Sequence, residues 1–166
     1  MTTPALIPVY IAAPFADAAL VRAIEPRLLP LGAESHSGWA QHANGPEQLD
    51  SMPLQSIQNI AAANDRDLMS AFAVLVLSRD GAGGEMFAEA RLALEYGIPV
   101  VWVGARRPLT AYRPGVVRVD TLEEALDLIA LFAARVRQPW PVEEDWARET
   151  VWSVVEKLGD ESEVAA

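Results

Sequence analysis

A three-layer α/β sandwich is the architecture to expect of this chain, and three observations lead to it. "VYIAA" (Val9–Ala13), "AVLVLS" (Ala73–Ser78) and "VVWVG" (Val100–Gly104) are apolar without interruption. A strand covered on both faces needs that pattern, whereas a half-exposed one alternates. Segments of helical spacing separate these runs, so the chain reads as successive strand–helix–strand units. Right-handed crossovers then give a flavodoxin-like, doubly wound parallel sheet of four to five strands.

The elements follow in order. The first strand is succeeded by "DAALVRAIEPRLL" (Asp17–Leu29), a helix with Asp17 placed to cap it and Pro26 placed to kink or end it. "LGAES" (Leu31–Ser35) holds a short further strand. "LQSIQNIAAANDRDLMSAF" (Leu54–Phe72) keeps helical spacing through Ile57, Ile60 and Ala61, with a break and a fresh cap expected at Asn64 and Asp65. "VVRVD" (Val116–Asp120) is a fourth strand candidate, near an edge. Thr121–Val136 opens with Thr and, three residues on, Glu, the pattern of a capping box.

Length and composition bound the function. The 166 residues fit one domain, taken as 1–158, followed by an acidic tail at 159–166 expected to be disordered. Acidic residues outnumber basic ones 23 to 13, for a formal charge of −10. Nucleic acids and anionic membranes select clustered Lys and Arg, so a small molecule is the better ligand. With no cysteine, thiolate chemistry, disulfides and thiolate metal sites are excluded. No run reaches the roughly twenty apolar residues of a membrane span. No basic start or apolar leader is present, so a cytoplasmic location is expected.

In a doubly wound sheet the ligand sits beyond the carboxyl ends of the strands, where the strand order reverses. The loops "APFAD", "SRDGAGG" and "GARRP" should meet there. The second runs into a helix carrying Glu85 and Glu89 one turn apart. At a hundred degrees per residue, Met86, Phe87, Ala90, Ala93 and Leu94 form its apolar face, and Glu89 falls at the margin of that face. Partial burial and a second carboxylate raise a carboxyl pKa, while the helix N-terminus lowers it. Such a group suits nucleophilic or acid–base work. Two solvated helix glutamates are the plain alternative.

The stretch from Glu89 to Val100 resembles the nucleoside 2-deoxyribosyltransferase superfamily, with Glu89, Ala93, Gly97, Pro99 and Val100 in matching positions and Arg91 where the family has Gly. "NDRDLMSAFAVLVLS" is similar to its aspartate-bearing segment, with Ala73 where the family often has Asp. "VYIAAPF" is similar to its opening strand and loop, with Ala13 for Gly. The resemblance implies that Glu89 attacks C1′ of the sugar, and that Asp65 or Asp67 is its acidic partner. Substrate contacts are implied for Tyr10, Ala13, Pro14 and Phe15. It also implies no cofactor or metal, a nucleoside or nucleotide substrate, and a homo-oligomer. A nucleotide N-glycosidase and a non-catalytic nucleotide-binding module are the alternatives.

Other residues join the candidate site by position. Asp80, Gly83, Gly84 and Glu85 belong to the loop and helix start facing the crevice, although Asp80 also suits a simple turn before Gly81. Trp39, in the polar stretch Ser35–Gln48, either stacks on a base as part of a lid or packs on the surface. His36 and His42 lack a third ligand and are expected in solvent. The "APFADAA" loop has neither the Arg nor the Ser that nucleotide hydrolases of the resembled superfamily carry there for a 5′-phosphate, which favours a nucleoside, while Arg106 and Arg107 either bind phosphate from the far side or are plain exposed loop charges. Trp140, Trp146 and Trp152 suggest an interface or packing on the domain itself.

Overall fold

The computed structural model describes residues 6–42, 51–79, 84–104, 108–136 and 152. Five parallel strands form one sheet: β1 (Ile7–Ala12), β2 (Ala33–Ser35), β3 (Ala73–Leu77), β4 (Val100–Val103) and β5 (Val116–Val119). Their order is β2-β1-β3-β4-β5, so the chain reverses direction across the sheet between β1 and β3. The architecture is a flavodoxin-like three-layer α/β sandwich.

Burial explains why the strands read as they do. Every residue of β3 and β4 is buried, as the unbroken apolar runs require, while the edge strands β2 and β5 are half-exposed at their ends. On one face lie α1 (Ala18–Leu28) and α5 (Leu122–Val136), joined by Arg27 and Glu123 at 2.6 Å. The other face carries α3 (Leu54–Ser70) and α4 (Gly84–Glu95), which pack on each other and on β1. Helix α1 turns Ala18, Val21, Ile24 and Leu28 inward at helical spacing. Trp102 of β4 is fully buried and stacks on Phe87 of α4 with ring centroids 5.6 Å apart. The capping box at the start of α5 forms, with Glu124 N–H donating to Thr121 Oγ1 and Thr121 N–H to Glu124 Oε2.

Three local expectations are corrected. Helix α3 runs unbroken through Asn64 and Asp65. Asn and Asp cost a helix interior only about 0.7 kcal/mol each relative to Ala, too little to interrupt seventeen residues. Pro26 does not end α1, which continues two residues past it to Leu28; its fixed φ of about −65° is itself helical. Asp17 makes no capping bond; its carboxylate accepts from Arg79 Nε at 2.6 Å and ties the loop after β1 to the end of β3.

Trp152 packs its ring over Gly115, just before β5, so this tryptophan is seated on its own chain. Trp140, Trp146, Arg106, Arg107 and the acidic tail lie outside the described residues. Among the described residues, no helix is long and apolar enough to cross a membrane.

Candidate functional site

A cavity of about 330 Å³ opens on the α3–α4 face at the β1/β3 reversal, where a doubly wound sheet places its ligand. The loop after β1 contributes Ala13, Pro14 and Phe15, and the short helix α2 (Trp39–His42) contributes Trp39. Helix α3 presents Ile57, Ile60, Ala61 and Asn64, spaced as one stripe of a helix. Opposite them, α4 supplies Gly84, Glu85, Met86 and Glu89.

Glu89 is half-buried, and its Oε1 accepts a hydrogen bond of 2.6 Å from Tyr10 Oη. Tyr10 stands on β1 and is fully buried. Burial is the main cause that lifts the Glu89 carboxyl to about 7, with the negative charges of Glu85 and Asp65 adding to it. The Tyr10 hydrogen bond pulls the other way. Burial first, and then the Glu89 carboxylate, push the Tyr10 phenol far above its ordinary value. Tyr10 therefore keeps its proton at every working pH and acts as a fixed donor. Glu89 is left poised between its acid and its base form near neutrality, with Oε2 free of any partner among the described residues.

The aromatic wall is built to stay in place. Trp39 is 5 % exposed, its Nε1–H donates to the Ile11 carbonyl at 3.0 Å, and its ring stacks on Phe15. It is a packed wall of the cavity. The preceding turn is pinned twice. Ser37 Oγ accepts Ile11 N–H at 2.6 Å, and Asp67 Oδ2 accepts Gly38 N–H at 3.2 Å. Arg22 holds the carbonyl of Ala40. Ser37→Ala is expected to strand the buried Ile11 N–H at a cost of about 1–3 kcal/mol. A lower denaturant midpoint with an unchanged slope would record that loss.

The acidic candidates part company. Asp65 is exposed on the body of α3, not at a helix start, yet its charge reaches both Tyr10 and Glu89. Asp67 is committed to the Gly38 turn. Neither lines the cavity; their neighbour Asn64 does. Local propensity marks Asn64 only as a helix breaker; the signal for its place in the cavity is the spacing Ile57, Ile60, Ala61, Asn64. Glu85 is exposed at the rim, one turn before Glu89. Asp80 and Gly83 lie outside the described residues.

His42 is exposed, as expected. His36 departs from expectation: its Nδ1 lies 2.9 Å from Ser70 Oγ and its Nε2 3.5 Å from Glu34, so it bridges the turn to the end of α3. Among the described residues, no group of three or more His, Asp or Glu converges where it could hold a metal ion. Compared with known proteins, the chain matches no family model, no curated protein and no solved structure.

Proposed function

We propose that the chain breaks or transfers the N-glycosidic bond of a nucleoside, with Glu89 as the nucleophile. The observation that carries this reading is the Tyr10–Glu89 pair, held at 2.6 Å beside a cavity at the sheet's reversal point. A buried phenol fixing one carboxylate oxygen leaves the other for attack. The cavity volume falls at the small end of ligand pockets, in keeping with a substrate of nucleoside size.

In the step proposed, Glu89 Oε2 attacks C1′, the C1′–N bond breaks, and its electron pair leaves on the base nitrogen, which takes a proton from solvent. Water or a second base then attacks C1′ and loses a proton to solvent, while the C1′–Oε2 bond breaks and frees the Glu89 carboxylate. The transition state is oxocarbenium-like, and the carboxylate both stabilises and traps it. Glu85, one turn away and reaching solvent, adds negative charge on the same side.

A phosphorylated substrate fits less well. The cavity lining among the described residues includes two carboxylates, Glu85 and Glu89, and no Lys or Arg. A dianionic phosphate would meet repulsion there without a counter-charge.

Incubation with a 2′-fluoro-arabinosyl nucleoside, followed by peptide mass spectrometry, tests the nucleophile. The expected result is a sugar adduct on the peptide containing Glu89; no adduct, or one on another residue, overturns it. The pH profile provides a second check. Because the nucleophile must be ionised, kcat/KM should rise through a limb near pH 7. Tyr10→Phe removes the bond that holds this pKa down, so the limb should move up by about one to two pH units. A limb that stays in place would deny Tyr10 its positioning role.

A further inference from the structure

The lining of the cavity divides into polar and apolar side chains, and that division orients a ligand. Ile57, Ile60, Ala61 and Asn64 follow one another down α3, and Asn64 lies about 10 Å further along the helix than Ile57. Asn64 and Glu89 line the same cavity from the two helices α3 and α4, which pack on each other. Phe15, Trp39, Ile57 and Ile60 make the remaining wall apolar.

Four side chains of the lining carry nitrogen or oxygen. The Trp39 indole N–H is spent on the Ile11 carbonyl, and Glu85 and Glu89 are carboxylates, which once ionised accept and have nothing to donate. Asn64 is the fourth. It is half-buried and makes no hydrogen bond to any described residue. Its amide offers two donors and an acceptor next to groups that lack donors. A hydroxyl suits this pairing, because its proton can go to a carboxylate while its oxygen accepts from the amide. An apolar wall suits the face of a flat ring.

We propose that Asn64 is a specificity-determining residue that binds a ring hydroxyl of the substrate's sugar, with the base lying against Phe15, Trp39 and Ile57. The sugar thus sits between Asn64 and Glu89, its C1′ facing Glu89, and the base lies along the apolar wall. This rests on the nucleoside reading above and adds to it which residue reads the sugar.

Binding, rather than turnover, separates the two ideas. In a Glu89→Gln background, calorimetric titration compares a ribonucleoside with the 2′,3′-dideoxynucleoside of the same base. Replacing Asn64 with Leu should weaken the ribonucleoside about tenfold, as expected for one lost hydrogen bond. The dideoxy analogue, which has no ring hydroxyl, should stay within about twofold. Asn64→Asp, closer in shape and lacking the donors, should weaken the ribonucleoside as well, and it serves if the Leu variant does not fold. Equal weakening of both ligands, or no weakening of either, overturns the assignment to the sugar. Failure of any nucleoside to bind the Glu89→Gln parent instead overturns the nucleoside reading, and this inference with it.

Discussion

Under the proposed nucleoside chemistry, Glu89→Gln is expected to reduce base release by about three orders of magnitude or more, and, independently of that chemistry, to make the protein more stable above pH 7. The two effects have one cause. Burial holds the folded-state carboxyl near 7, against 4.5 for an unperturbed Glu. Below pH 4.5 the group is protonated in both the folded and the unfolded chain, and it costs nothing. Between 4.5 and 7 the unfolded chain releases the proton while the folded one keeps it, so stability falls as pH rises. Above 7 both forms are ionised and the penalty is full and constant. From the size of the displacement it is about 3 kcal/mol.

Gln cannot ionise, so the variant escapes that penalty. Its melting temperature should match the parent near pH 4.5 and exceed it by roughly 10 °C at pH 8. Differential scanning calorimetry across this range reads the difference directly. A gap that does not widen with pH would mean that the carboxylate is better solvated than its position between Tyr10 and α3 implies. Lost activity with gained stability is the signature of a group retained for chemistry rather than for folding.

How far the sequence reveals the fold and the site depends on whether the deciding interaction is local. The strands were legible because a parallel sheet buries both faces, and unbroken runs such as "AVLVLS" leave few other outcomes. The capping box of Thr121 and Glu124 was legible because both partners lie within one turn. Helix α3 shows the opposite case. Local propensity at Asn64 and Asp65 points to a break, whereas its small cost is spread over a helix of seventeen residues that runs on to bury Leu68. The same misreading hid Asn64 as a cavity residue.

The position of Glu89 at the margin of its helix's apolar face could be read from a helical wheel. Its partner could not. Tyr10 is 79 residues away, and the meeting of the two depends on how far α4 slides along β1. That register is set by the whole inter-layer packing, including the Phe87–Trp102 stack. The settings of His36 and Trp39 are hidden from local sequence for a related reason. A polar stretch reads as a loop in solvent, yet Ser37, Trp39 and Asp67 stitch it to β1 and α3 with three hydrogen bonds.

Gly104→Ala is expected to produce the largest loss of stability among single methyl additions, about 3–5 kcal/mol. Gly104 ends β4 with φ +106°, and a Cβ placed there would lie 2.0 Å from the carbonyl oxygen of Ser78. That oxygen belongs to the main chain just beyond β3, and Ser78 N–H donates to the carbonyl of Val103. Neither side can yield without separating β3 from β4 at the end of the sheet that carries the site. Gly97→Ala separates the two causes. It shares the left-handed backbone, with φ +70°, but a Cβ there meets nothing within 4 Å. It should cost only the dihedral strain, about 1–2 kcal/mol. Urea denaturation of both variants gives the comparison. Equal losses would show that backbone strain alone governs the two sites and that β3 and β4 part more easily than their contact implies. A much larger loss at Gly104, with a falling yield of Glu89 adduct, would tie the closeness of these strand ends to the integrity of the cavity.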